Sequence, residues 1–379
     1  MTSVSSLAET LSNASVIICC GAGGVGKTTT SAVLAIAAAE RGRNVALVTI
    51  DPARRLADAL GISTLTNTPT EIDGPWPGQL SALMLDTKNT FDALIDRYAP
   101  SPAQRDRILA NPFYRNISGT LSGTQEYMAA EKLYELHDTT EFDLVVVDTP
   151  PTRNALDFLD APDRLSRFLN HPLYRLMTAP TRGLVKAVNF ATQTALKSMT
   201  KVVGGDVIAD AIAFFQAFDG MEEGFRQRST RVRDLLIDDT TSYVLVTSPK
   251  AETLDEAHFF ADRLQRDDIA ISALIVNRMH PHFPLASSAS DVPNSTEVAE
   301  SAVCDLDIAA ALDHDHPDNA LSAYYRCRAQ FRSVAAQEIA AVEDLRTSMP
   351  GVGTYLIPFM VEDVHDLESL KNLASHLVG

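Results

Sequence analysis

The sequence predicts an α/β fold, a mostly parallel and doubly wound sheet with helical insertions that form a subdomain of their own. Three observations carry that prediction. Short, continuously apolar runs, among them Val45 to Ile50, Phe142 to Val147 and Tyr243 to Thr247, read as strands buried on both faces. Helical patterns separate these runs, and alternation of the two builds parallel sheets. The first apolar run, Val16 to Cys20, passes into a glycine-rich turn and then a helix, the order in which α/β sheets bind phosphate.

The chain has 379 residues, 45% of them hydrophobic and 21% charged, which is ample for a large core. It reads as one domain over 1–379, with an α/β core at about 14–85, 140–156 and 240–379 and a helical subdomain at about 86–138 and 157–235. Net charge is −17, which argues against nucleic acid as a main partner. Cys19, Cys20, Cys304 and Cys327 show neither C-x-x-C spacing nor disulfide density, as expected of a reduced, cytoplasmic setting. The polar N-terminus lacks the apolar region of a signal peptide, and no apolar run approaches the roughly 20 residues that span a bilayer.

In chain order, an Ala-rich helix is expected over Thr29 to Arg41, then the strand Val45 to Ile50 and a further strand over Leu80 to Leu85. Phe91 to Glu135 reads as helical with breaks at Pro100, Pro102, Pro112, Gly119 and Gly123, and the strand Phe142 to Val147 follows. From Asp157 to about Asp234 no strand pattern occurs. Leu184, Val188, Ala191, Ala195, Met199 and Val203 recur at helical spacing, and Ile208, Ile212, Phe214, Phe215, Phe218 and Met221 form a second apolar cluster. The core of a helical subdomain is the favoured reading of both, ahead of a groove for an apolar client. The sheet pattern returns with Tyr243 to Thr247, a helix over Leu254 to Leu264 and a strand over Ile271 to Val276 that ends at Asn277-Arg278. Ser287 to Thr296 reads as a mobile linker, Ala320 to Leu345 as a long helix, Tyr355 to Ile357 as the last strand and Leu367 to Leu377 as the closing helix. His280, His282, His314 and His316 lie in polar sequence and read as solvated loop histidines rather than metal ligands.

Gly21 to Thr28 fits the phosphate-loop pattern G-x-x-x-x-G-K-[ST]. Glycines allow backbone N–H groups to turn inward around phosphate oxygens, and a helix that starts at the loop aims its positive dipole end at the same place. Gly23, Gly24, Val25, Gly26, Lys27, Thr28 and Thr29 are therefore the candidate nucleotide cradle, with Lys27 on the outer phosphates and the Thr28 hydroxyl on Mg²⁺. Two carboxylates follow strands: Asp148, suited to hold Mg²⁺, and Asp51, placed to orient an attacking water and to join Thr28 and Asp148 around the metal. ATP and Mg²⁺ are the expected cofactors. No G-x-S-x-G, H-E-x-x-H or N-K-x-D motif occurs.

At these residues the chain resembles the ArsA-like ATPases, a family of phosphate-loop ATPases that includes the arsenite-pump ATPase and the ATPase that targets tail-anchored membrane proteins. It looks closest to the paired ArsA-like ATPases of actinobacteria. The family's loop G-K-G-G-V-G-K-[ST]-T is matched by Gly21 to Thr29, its first switch D-P-A by Asp51-Pro52-Ala53 and its second switch D-T-[AP]-P-T by Asp148 to Thr152. Gly123-Thr124-Gln125-Glu126 resembles its P-G-x-x-E helical segment. The resemblance implies an adenine-recognising role for Asn277 and an adenine loop at Pro358 and Phe359.

The departures bear on function. The family's signature lysine, which serves the partner subunit's phosphates in a dimer, is replaced by Ala22. Met279-His280-Pro281-His282 stands where the targeting factor has its C-x-x-C zinc clamp, and the four cysteines do not cluster as in the arsenite pump. The resemblance implies an Mg-dependent ATPase and a dimeric nucleotide switch. The resemblance further implies coupling of hydrolysis to an unknown client, hydrophobic or otherwise, or to a membrane or envelope process through peripheral membrane contact. Ala22 points to a heterodimer with an ArsA-like paralogue rather than a homodimer. The alternative is a non-catalytic, ATP-binding scaffold that regulates a partner subunit. The presence of Lys27, Asp51 and Asp148 together speaks against it.

Overall fold

The computed structural model describes residues 6–51, 55–118, 124–150, 157–170, 205–283, 292–315, 320–360, 363–364 and 366–378. The helical periodicity noted from Leu184 to Val203 lies outside them, as do Pro52, Ala53, Pro151, Thr152, Gly123 and His316. The chain forms two compact units. One comprises Met1–Met84, Leu136–Leu156 and Asp239–Gly379, and the other Leu85–Glu135 and Asp157–Asp238.

The elements begin with α1 (Leu7–Asn13), β1 (Val16–Cys20), α2 (Lys27–Glu40), β2 (Asn44–Thr49), α3 (Arg55–Ala59), β3 (Thr70–Glu71) and β4 (Gln79–Met84). The helices α4 (Thr87–Tyr98), α5 (Pro102–Ala110), α6 (Pro112–Ile117) and α7 (Thr124–Asp138) lead to β5 (Leu144–Asp148). Then come α8 (Asp157–Asn170), α9 (Gly205–Ala217), α10 (Glu222–Leu236), β6 (Thr241–Thr247), α11 (Ala251–Arg266) and β7 (Ile271–Met279). The chain closes with α12 (Ser295–Asp315), α13 (Ala320–Ser348), β8 (Gly353–Pro358) and α14 (Leu367–Val378).

The first unit holds one eight-stranded sheet in the order β3-β4-β2-β5-β1-β6-β7-β8, parallel except for the short edge strand β3, which runs antiparallel to β4. Every residue of β1 and of β5 is buried, so the uninterrupted apolar runs are central strands. The alanines and aliphatic residues from Ala32 to Ala39 let α2 lie close against the sheet. With β5 and β6 on either side of β1, the chain switches direction across the sheet at β1. Ligand crevices in open α/β sheets form at the carboxyl ends beside such a point. Asp148 is level with Thr49 of β2 and Cys19 of β1, so three strand ends meet there.

Two helices were not expected, α1 in the polar N-terminal stretch and α12, which begins at the last two residues of the linker read over Ser287 to Thr296, whose residues 287–291 lie outside those described. The Ser6 hydroxyl accepts the Glu9 N–H at 3.2 Å and Glu9 accepts the Ser6 N–H at 2.9 Å, a capping box that starts α1 and lets Leu7 and Leu11 become buried. The supposed linker gives way at Ser295 to α12, which packs along α13 through Val298, Ala302, Asp305 and Ala309 on one side and Ser322, Ala329, Arg332, Ala336 and Ile339 on the other. These seam residues recur at spacings of three, four and seven, as in a coiled coil. Asp305 accepts from Arg328 Nε at 2.9 Å and from Arg332 Nη1 at 2.7 Å within it. His314 belongs to α12 rather than to a loop. His280 is half-buried, and its Nδ1 pairs with Glu338 at 2.7 Å. His314 is thus exposed but helical, and His280 lies in a loop but is half-buried, so each meets only part of the expectation.

The helical unit is organised by aromatic rings. Phe214, Phe218, Met221 and Phe225 are buried together with Tyr114, which matches the core reading of that apolar cluster. Glu131 and Arg228, 2% and 3% exposed, pair at 2.7 Å, and the guanidinium lies 3.9 Å above the ring of Tyr134. Burial holds the Glu131 carboxyl above its ordinary range, against the opposing pull of Arg228. Arg228→Met should leave that charge uncompensated and cost about 3–5 kcal/mol, read as a shift of the denaturant midpoint. The double variant Arg228→Met/Glu131→Leu should recover most of the loss. If the double is as unstable as the single, the pair is not the unit that matters.

Candidate active site

Three glycines give the turn between β1 and α2 its path, with φ of 146° at Gly21, 75° at Gly24 and 97° at Gly26. Two of them also allow close approach. A Cβ on Gly21 would come within 2.0 Å of the Val246 carbonyl oxygen, and one on Gly26 within 2.3 Å of the Asn277 amide nitrogen. Lys27 is 5% exposed, and its ammonium donates to the carbonyls of Gly21 at 3.0 Å and Ala22 at 2.7 Å. Burial lowers its pKa, while the negative charges of Asp148 and Asp51 favour the ammonium form.

Asp148, at the end of β5, is 1% exposed. One carboxylate oxygen accepts the hydroxyls of Thr28 at 2.8 Å and Thr49 at 3.0 Å, and the other is buried with no hydrogen-bond partner. Burial pushes its pKa up to about 6, opposed by the two threonine bonds and Lys27 and assisted by Asp51. A buried carboxylate oxygen without a partner beside a threonine hydroxyl is a hard-oxygen donor set, and it fits Mg²⁺.

A cavity of about 350 Å³ opens above these groups. Gly24, Gly26, Lys27, Thr28 and Thr29 form its loop side, and Asp51, half-buried, faces them from the end of β2. Asp58, Ala59 and Val364 also line it and were not named from the sequence, whereas Arg55 follows the first switch, Thr149 belongs to the second-switch motif and Arg278 stands at the end of its strand without an assigned role. The remaining expected adenine contacts sit differently. Asn277 donates its amide to the Val25 carbonyl at 2.9 Å, while Phe359 is 52% exposed, with its ring 5.2 Å from that of His280. Neither lines the cavity. Pro358 ends β8 beside Met279.

The sequence profile of the anion-transporting ATPases matches residues 14–290, nearly three-quarters of the chain. The chain belongs to the ArsA-type ATPase family. Known relatives include ATPase GET3 of Malassezia globosa, 29% identical over 266 residues that cover 69% of this chain and 72% of the relative. ATPase ARSA2 of Chlamydomonas reinhardtii is 28% identical over 264 residues, covering 68% and 66% respectively. The ASNA1-homologue ATPase of Cryptosporidium parvum is 25% identical over 286 residues, covering 75% and 69%. This ArsA-type protein is accordingly an enzyme that hydrolyses ATP, and the cavity at its phosphate loop brings together Lys27, Thr28 and Asp51 of the residues expected from the sequence.

The Asp148 environment sets a pH dependence. Its folded pKa, about 6, lies above the value of 3.8 for an unburied carboxyl, so between those values the folded state binds more protons than the unfolded chain. Stability must then fall as pH rises through that window and stay lower above it. The nucleotide-free protein should melt at a higher temperature at pH 5 than at pH 7, through this group. Asp148→Asn should melt higher than wild type at pH 7 and lose that part of the pH response. A melting temperature of Asp148→Asn below wild type at pH 7 would contradict the assignment.

Proposed function

We propose that this ATPase is an Mg-dependent dimeric switch that couples hydrolysis to a client or to a process at a membrane surface, with an ArsA-like paralogue as its other subunit. The observation that carries the metal-dependent part is the Asp148 carboxylate, fixed through one oxygen by Thr28 and Thr49 and free of partners at the other. In this reading Thr28 and Asp148 hold the Mg²⁺, with Asp51 beside them. Bound there, Mg²⁺ would supply charge neutralisation to the triphosphate. Lys27 exchanges its loop carbonyls for outer phosphate oxygens. Asp51 orients the water whose oxygen bonds to the γ-phosphorus as the bridging bond to ADP breaks, giving ADP and inorganic phosphate. Asn277, Pro358 and Phe359 remain the proposed adenine side.

The heterodimer rests on Ala22. Ala22 is 3% exposed and part of the core cluster, so this chain supplies no cation from that position to a neighbour. In a homodimer Arg54 or Arg55, just past the first switch, or another cation would have to take its place, and Arg55 is exposed on the cavity wall. Leu321, Tyr324, Phe331 and Val334 on α13, and Phe359 and Met360 beyond β8, are exposed and supply apolar surface for a subunit contact. Among the described residues no helix is long and apolar enough to cross a membrane, which leaves peripheral contact as the proposed mode.

Asp51→Asn should lower turnover by about 10²–10³-fold while ATP still binds, and Lys27→Ala should lower both turnover and affinity. Full turnover by Asp51→Asn removes it from the catalytic role. ATP hydrolysis by this chain alone should be slow and should rise when an ArsA-like paralogue from the same organism is added, by up to about 10³–10⁵-fold if the partner supplies the missing cation. Fast hydrolysis by the unmixed chain, indifferent to the paralogue, would overturn the heterodimer.

A further inference from the structure

The end of β7 grips the phosphate loop with two consecutive side chains. In a regular strand, neighbours such as Asn277 and Arg278 point to opposite faces. Here the β7–β8 register shifts between Asn277, paired with Ile357, and Met279, paired with Pro358. Arg278 sits at that irregularity with φ of 64°, a left-handed conformation that is uncommon for a residue with a Cβ. The Asn277 side-chain oxygen accepts the Arg278 N–H at 2.9 Å and supports the bend. As a result both side chains reach the loop. The Asn277 amide donates to Val25 O at 2.9 Å, and Arg278 Nη1 donates to Gly24 O at 3.1 Å.

In a trans peptide the N–H of a residue points away from the carbonyl that precedes it. Holding the Gly24 carbonyl therefore aims the Val25 N–H in the opposite direction, and holding the Val25 carbonyl does the same for the Gly26 N–H. Lys27 fixes the earlier carbonyls, Gly21 and Ala22. The Arg278 guanidinium thus lies on the carbonyl side of the loop, although the residue also forms part of the cavity wall.

We infer that Arg278 is a positioning residue for ATP hydrolysis: with Asn277 it sets the phosphate-loop N–H groups in their anion-binding orientation before nucleotide arrives. Its action is on the triphosphate, through the loop, and not on the base. The bond it makes is charge-assisted and stronger than a neutral one, and a loop already ordered loses less entropy on binding.

The inference rests on the ATP site described above, so wild-type binding of ATP is measured first. A wild type that binds no ATP counts against that site, whereas the variants address Arg278. Arg278→Ala should weaken ATP, ADP and inorganic tripolyphosphate by a similar factor, about ten- to hundredfold for one lost bond from a charged donor. The loss should appear mainly in KM, with kcat falling by less than KM rises. Arg278→Lys, which keeps a charged donor, should restore part of the affinity. Arg278→Gly relieves the left-handed backbone while removing the side chain. It should melt no lower than wild type without nucleotide, yet bind as weakly as Arg278→Ala, a divergence that a merely structural role would not produce. Unchanged affinity for tripolyphosphate, or a fall in kcat at constant KM, would overturn the inference.

Discussion

Where the carbonyls of the phosphate loop point is the constraint on which the rest of the site depends. A loop that is to present N–H groups to an anion must turn its carbonyls the other way, and those carbonyls then need partners of their own. Four of them have partners here. Lys27 takes Gly21 and Ala22, Arg278 takes Gly24 and Asn277 takes Val25. Two of the three donors come from the loop's opposite neighbour in the sheet unit, the end of β7. The loop is thereby tied to strands that lie far away in sequence. The glycines make this possible less by flexibility than by the room they leave, as the approach of Asn277 to Gly26 shows.

The same region carries a cost. Asp148 is buried at the middle of the sheet with one oxygen unsatisfied, and burial, helped by the charge of Asp51, raises its pKa despite two hydroxyl donors. A core position would be more stable with an uncharged side chain. A carboxylate kept there with an unused oxygen gives up stability locally, which supports the proposal that a bound ion supplies the missing partner. Cys19 and Cys20 in β1 illustrate the opposite case. Both thiols are fully buried, burial pushes Cys20 up to about 12 and Cys19 higher still, and neither has the exposed, thiolate-favouring surroundings of a reactive cysteine.

The two units solve burial differently. The sheet unit covers its apolar strands with helices rich in alanine, so α2 can lie flat on β1 and its neighbours. The helical unit fills its centre with large rings and admits one ion pair, Glu131 with Arg228, protected by Tyr134. In α12 and α13 the seam is narrow, and the outer face of the hairpin stays apolar in places, at Leu321, Tyr324 and Phe331. That distribution gives the chain surface on which another subunit could close.

The sequence by itself determined the α/β class, the central strands and the phosphate loop. Each depends on local pattern: unbroken apolar runs for strands buried on both faces, and a fixed spacing of glycines, lysine and threonine for the turn. Lys27, Thr28, Asp51 and Asp148 could be singled out for the same reason, since a carboxylate just beyond an apolar strand sits at a sheet's carboxyl end wherever the fold is parallel. The helix α1 was also written locally, in Ser6 and Glu9, though among polar residues its capping box is easily passed over. Helix α12 was obscured by its alanines and by acids such as Asp305, which is buried only because Arg328 and Arg332 arrive from α13. Only the tertiary structure decided that Asn277 and Arg278 face the same way, because a bulge set by the pairing of β7 with β8 reverses the alternation that a sequence implies. It alone also brought Val364 to the cavity wall, since its approach depends on how the chain returns to the sheet and not on any neighbour in sequence.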